Sequence, residues 1–97
     1  MDQSAKVSFR WYKIAAEAGH ALAQYEIGTY YEKGTVVAQD KSQAFEWYLK
    51  SAQAGVISSQ VKIAIMYKDG IGVVQNEAQA AKWMKIIQEQ IREFDID

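Results

Sequence analysis

The stretch Ala44–Gly55, reading AFEWYLKSAQAG, decides the fold, because the chain carries it in altered form at two further places in the same phase. Residues 8–19 read SFRWYKIAAEAG, and residues 80–91 read AAKWMKIIQEQI. Trp11, Trp47 and Trp83 therefore stand at equal intervals of 36 residues. Moving Lys6–Gly19 forward by one interval matches Phe9, Trp11, Tyr12, Ala16, Ala18 and Gly19 to Phe45, Trp47, Tyr48, Ala52, Ala54 and Gly55. Moving residues 20–55 forward gives 9 identities in 36, among them Gln24/Gln60, Ile27/Ile63, Tyr31/Tyr67, Gly34/Gly70 and Gln39/Gln75. A fixed period of this length marks a repeat architecture, in which each unit buries its apolar face only by stacking on its neighbours.

Within the period the spacing is helical. Ala44, Trp47, Tyr48, Ser51 and Ala52 follow steps of three and four, as do Ala80, Trp83, Ile87, Ile91 and Phe94. Ile27 and Tyr31, like Ile63 and Tyr67, lie four apart and share a face. Asp40 followed by Gln43, and Asn76 followed by Gln79, read as helix N-caps of the capping-box type, with Ser4 in the same phase one period earlier. Gly19 and Gly55 follow apolar stretches and read as C-terminal caps. These signals predict helices over 4–18, 21–33, 41–54, 57–69 and 77–93, with longer connectors at Gly34–Gln39 and Gly70–Gln75. A glycine inside a helix costs about 1 kcal/mol against alanine, so Gly28, matched by Ala64, predicts a close helix–helix approach. The expected fold is all-α: an α/α solenoid of antiparallel helix pairs, five helices in about two and a half repeats. It forms a single domain over 1–97, with an unpaired second helix in 1–19, a repeat in 20–55, and a repeat with an extended last helix in 56–97.

Composition narrows the function. With 11 basic and 12 acidic residues the net charge is −1 and no basic cluster exists, so a nucleic-acid surface lacks its main electrostatic requirement. No apolar run approaches the length of a membrane span, and no signal-peptide core opens the chain. The absence of cysteine removes thiol chemistry and thiolate metal sites. His20 is the only histidine and follows Gly19 at a helix junction, so a multi-histidine metal site cannot form within one chain. Glu17, Glu32, Asp40 and Asp69 sit where surface helices and caps account for them. Gly70 and Gly72 lack the preceding strand and following Lys-Ser/Thr of a phosphate loop. No catalytic residue, metal or cofactor is expected, and the phase-locked Trp11, Trp47, Trp83, Tyr31 and Tyr67 read as core filler that every unit needs.

The repeat resembles the Sel-one-like repeat (SLR), a variant of the tetratricopeptide-type α/α repeat. The resemblance rests on Ala23, Tyr25, Ile27, Gly28, Tyr31, Gly34, Val37, Asp40, Ala44, Trp47, Tyr48, Ala52 and Gly55. It continues in Ile63, Ala64, Tyr67, Gly70, Gly72, Val73, Asn76, Ala80 and Trp83. Two positions depart from the pattern. Val36 stands where Gly72 keeps a glycine, and a β-branched residue at positive φ would be strained, so the first connector is expected to take another path. Ile91 replaces the terminating glycine, so the last helix is expected to run on towards Phe94. With no earlier partner for the first helix, Phe9 and its apolar neighbours are expected to face solvent.

The resemblance implies a scaffold that holds a protein or peptide along a concave surface lined by the first helix of each unit. The positions so implied are Tyr25, Thr29, Glu32 and Lys33, and one period later Val61, Ile65, Lys68 and Asp69. Glu32 and Lys68 reverse charge between repeats, and a pairing between them across adjacent helices is one reading of that reversal. The alternatives are a structural module self-associating weakly through its terminal helices, and carbohydrate binding through tyrosines such as Tyr30. No nucleic-acid partner and no membrane insertion are expected, and the sequence fits a secreted, periplasmic or cytoplasmic protein equally.

Overall fold

The structure, a computed structural model, describes residues 3–95; the two outermost residues at each end of the expected 1–97 domain lie outside the described residues. Five helices follow one another: α1 (Gln3–Glu17), α2 (Ala21–Lys33), α3 (Lys41–Gln53), α4 (Ile57–Asp69) and α5 (Glu77–Asp95). Each packs chiefly on its neighbours in sequence, giving an elongated stack of 43 × 34 × 20 Å. Among the described residues there is no strand.

The helix ends are set locally. Asp40 and Asn76 accept hydrogen bonds from the backbone N–H groups of Gln43 and Gln79, each at 3.0 Å, so both predicted caps form. Ser4 lies inside α1, which begins one residue before it, rather than at a cap. At the other ends four glutamines donate to last-turn carbonyls, of which those of Ala16 and Ala52 also accept from the Gly19 and Gly55 backbone N–H groups at 3.1 and 3.0 Å. Gln24 and Gln60 donate to the Ala16 and Ala52 carbonyls at 3.2 and 3.1 Å. Gln39 and Gln75 donate to the Glu32 and Lys68 carbonyls at 2.8 and 2.7 Å. The last turns of a helix have carbonyls with no intrahelical donor, so a side-chain amide at a fixed offset satisfies the same need in each unit.

The connectors bring one correction. Val36 has φ 68°, matching the 70° of Gly72, so the first connector follows the same path as the second and holds a valine in the left-handed region. At Gly72 the glycine is required by packing as well: a Cβ there would lie 2.2 Å from the Lys41 carbonyl oxygen.

The core has two parts that share Tyr31. Ala44, Phe45, Tyr48, Ala52, Ile63 and Met66 form the larger cluster, with Trp83 packed against it. Ala16, Ala23 and Ile27 form the smaller, with Trp47 packed against it. Each of these tryptophans therefore lies against a cluster formed by the two helices before its own: α1 with α2 for Trp47, and α3 with α4 for Trp83. Trp11 has no preceding helix among the described residues to lie on and is 66% exposed, so it does not serve as core filler. The expectation for Phe9 is also reversed. Its ring meets Tyr30 edge-on at 5.2 Å, as Phe45 meets Tyr67 one unit later, while its neighbours Val7, Trp11, Tyr12 and Ile14 are exposed on α1.

Candidate functional site

Tyr25, Gly28, Thr29 and Glu32 follow steps of three and four along α2, so they form one stripe, and α3 lays Tyr48 across it. The Tyr48 ring sits 5.5 Å from that of Tyr25 and its hydroxyl lies 3.2 Å from Thr29 Oγ1. That hydroxyl donates to Glu32 Oε1 at 2.7 Å, and Lys62 Nζ, arriving from α4, donates to the same oxygen at 3.0 Å. The pairing of Glu32 with Lys68 does not occur; Glu32 pairs with Lys62. Phase equality puts two residues at the same level of successive units without bringing them into contact.

The electrostatics follow. Partial burial pushes the Glu32 carboxyl up, but hydrogen bonds from Tyr48 and Lys62 and the nearby ammonium charges outweigh it, and its pKa lies below the usual glutamate range. Burial pushes the Tyr48 hydroxyl well up; the Thr29 hydrogen bond opposes this, and the Glu32 carboxylate adds to it. Tyr48 therefore stays a neutral donor. The α2–α3–α4 joint is a packed polar seam, completed by Ser59, which donates to Ser51 at 2.6 Å while Ser51 donates to the Ala21 carbonyl at 2.7 Å.

One period on, the stripe changes character. Val61, Ile65 and Lys68 take the places of Tyr25, Thr29 and Glu32; Met84 and Ile87 on α5 take those of Tyr48 and Ser51. Among the described residues no helix lies across them as α4 lies across α2 and α3. The result is an open groove of about 370 Å³ lined by Val61, Ala64, Ile65, Lys68, Met84, Ile87 and Gln88. Val61, Ile65 and Met84 are 41, 47 and 52% exposed.

The residues named from the sequence thus divide. Tyr25, Thr29 and Glu32 are half-buried in the joint; Val61, Ile65 and Lys68 border the groove; Lys33 and Asp69 are exposed at the last positions of α2 and α4. Sequence reasoning missed the α5 side, Met84, Ile87 and Gln88. The signal available for it was the loss of the repeat's Tyr and Ser at 84 and 87. It missed Lys62 because that contact depends on the stagger between α2 and α4. Tyr30, named as a carbohydrate contact, is half-buried between α1 and α2, with its ring against Phe9 and Tyr12.

Comparison with known proteins agrees with this architecture. The Sel1 repeat model matches residues 1–20, 21–56 and 57–86, and the chain belongs to the Sel1 repeat family. Proteins of this family generally serve as interaction scaffolds and are generally not enzymes. Among solved structures, a Sel1 repeat protein from Oxalobacter formigenes is similar over 89% of this chain and 35% of its own, with TM-score 0.85 and 34% identity. A protective antigen of uropathogenic Escherichia coli strains, displaying an SLR fold, is similar over 84% of this chain and 17% of its own, with TM-score 0.79 and 38% identity. Helicobacter pylori cysteine rich protein B is similar over 84% of this chain and 62% of its own, with TM-score 0.81 and 26% identity. The chain thus spans less than two thirds of each of these relatives. No curated protein matches it. Among the described residues no helix is long and apolar enough to cross a membrane.

Proposed function

We propose that the chain is a binding scaffold that holds a protein or peptide segment on the face of its first helices. Val61, Ile65 and Lys68 of α4 make the principal contacts, and Lys33 and Asp69 flank them. Tyr25, Thr29 and Glu32 act on the same face indirectly, by fixing α2 against α3 and α4. The observation that supports this reading best is the groove beside Val61 and Ile65, where large apolar side chains stay exposed next to a cation. Surfaces that bind proteins combine such an apolar centre with a polar rim. A rigid stack of helices presents these groups already ordered, which lowers the entropic cost of binding.

The test compares partners captured by the native chain with those captured by Ile65→Glu and by Leu22→Glu, which alters an exposed apolar residue of α2 that does not line the groove. Circular dichroism establishes that both variants are folded. Partners lost with Ile65→Glu and kept with Leu22→Glu support the reading; partners unaffected by either substitution overturn it.

A second reading, self-association through the terminal helices, draws on the exposure of Trp11 at 66% and Phe94 at 77%. Sedimentation across a wide concentration range tests it, and a strict monomer removes it.

A further inference from the structure

The repeat supplies its own template for what fits the open groove. Over α2 and α3, α4 lays Ser59, Lys62, Ile63 and Met66, and it pairs Lys62 with Glu32. In the groove the Glu32 place is held by Lys68, and the Ser51 place by Ile87. A helix seated in the same way must therefore carry a carboxylate at the place of Lys62 and a small apolar residue at the place of Ser59. We infer, building on the scaffold reading, that the α4–α5 groove docks one amphipathic helix of a partner protein, alongside α4, with an acidic residue facing Lys68.

Two observations argue for a helix from another protein. After α3 the left-handed Gly55 turns the chain back so that α4 can cover the preceding pair. At the matching place α5 has Ile91 and continues helical to Asp95, past the point of return. Gln90 fixes that course: it donates to the Gly55 carbonyl at 2.6 Å and accepts from Gln60 at 3.0 Å. A second copy is the poorer occupant, since its α4 would set Lys62 against Lys68, and its α2 already lies against its own α1.

The pattern required of the partner can be built from this chain. α2 has Ala23 at the place of Ser59 and Glu26 at that of Lys62. A synthetic peptide of residues 20–33, stapled into a helix between positions 25 and 29, is therefore a defined probe, and its Glu26→Lys form is the control. Titration into the isotope-labelled chain, followed by NMR, should shift the signals of Val61, Ile65, Met84 and Ile87. Binding by the Glu26 peptide should be about fivefold tighter than by the control, the size of one exposed attractive pair turned repulsive. Lys68→Glu, which leaves the joint intact, should reverse that preference. No shifts at the groove, equal affinities for the two peptides, or no response to Lys68→Glu would overturn the inference. If the capture experiment still yields an Ile65-dependent partner in that case, the scaffold reading stands alone. A concentration-dependent dimer abolished by Met84→Glu would place a second copy in the groove and would also overturn the inference.

Discussion

Gly28 and Tyr48 are in direct contact: a Cβ on Gly28 would lie 2.7 Å from both Cδ1 and Cε1 of the Tyr48 ring. The glycine is there for the tyrosine, and the next unit shows the relationship in reverse, with Ala64 and Met84 in the two places. Alanine gains about 1 kcal/mol over glycine within a helix. Overpacking against a buried ring typically costs about 1–3 kcal/mol. Gly28→Ala is therefore expected to destabilise the chain by about 1 kcal/mol despite its better helix propensity. Combining it with Tyr48→Met, in a double-mutant cycle followed by urea unfolding, should show a favourable coupling of about 1 kcal/mol.

Val36 is the position where a substitution should help. Left-handed backbone costs a non-glycine residue about 1–2 kcal/mol, part of which glycine forfeits through its freer unfolded chain. Val36→Gly should raise stability by about 0.5–1 kcal/mol, a few degrees in melting temperature for a domain of this size. Gly72→Val, forced against the Lys41 carbonyl, should lower it by more than about 2 kcal/mol. Thermal unfolding of the two variants checks both signs.

The three tryptophans should not behave alike. Trp47 and Trp83 lie on core clusters, and replacing either with alanine should cost about 2–4 kcal/mol, whereas Trp11→Ala should cost less than about 1 kcal/mol. Acrylamide should quench the emission of a variant that keeps Trp11 alone more strongly than of one that keeps Trp47 alone.

Glu32 gives stability a pH dependence of known sign. Its folded pKa is depressed, so the stabilisation it contributes is complete above the usual glutamate range and is lost as pH falls through the lowered folded value. Because Glu32 and Lys62 remain partly exposed, Glu32→Gln should cost only about 1 kcal/mol at neutral pH. That difference from the native chain should shrink as pH falls through the lowered folded value of Glu32. Urea unfolding across a series of acidic pH values reads it directly.

Much of this architecture was legible before the structure because its determinants are local. Gly34 and Gly70 end α2 and α4, Asp40 and Asn76 start the helices that follow, and the observed bounds of α2 and α4 are those the spacing predicts. The remainder depends on relations between units. The period assigns Trp11 the role of Trp47, but that role needs a preceding helix beneath it, as α2 lies beneath Trp47. Val36 was expected to leave the path of Gly72 because strain is visible locally, whereas the contacts that hold the connector in place are not. For the candidate site, the α4 half of the groove followed from the repeat phase. The α5 half and the Lys62 contact required the stagger of neighbouring helices.

The four glutamine caps also give the stack a direction in time. Each closes the end of a helix from a point seven or eight residues further along the chain. During synthesis, then, a helix emerges from the ribosome with its carbonyl end open, and the residues that seal it follow immediately. Sealing of each such helix end waits only for the next few residues. A chain of this design can set its helix ends in the order of elongation, while each unit's apolar face waits for the helix that covers it.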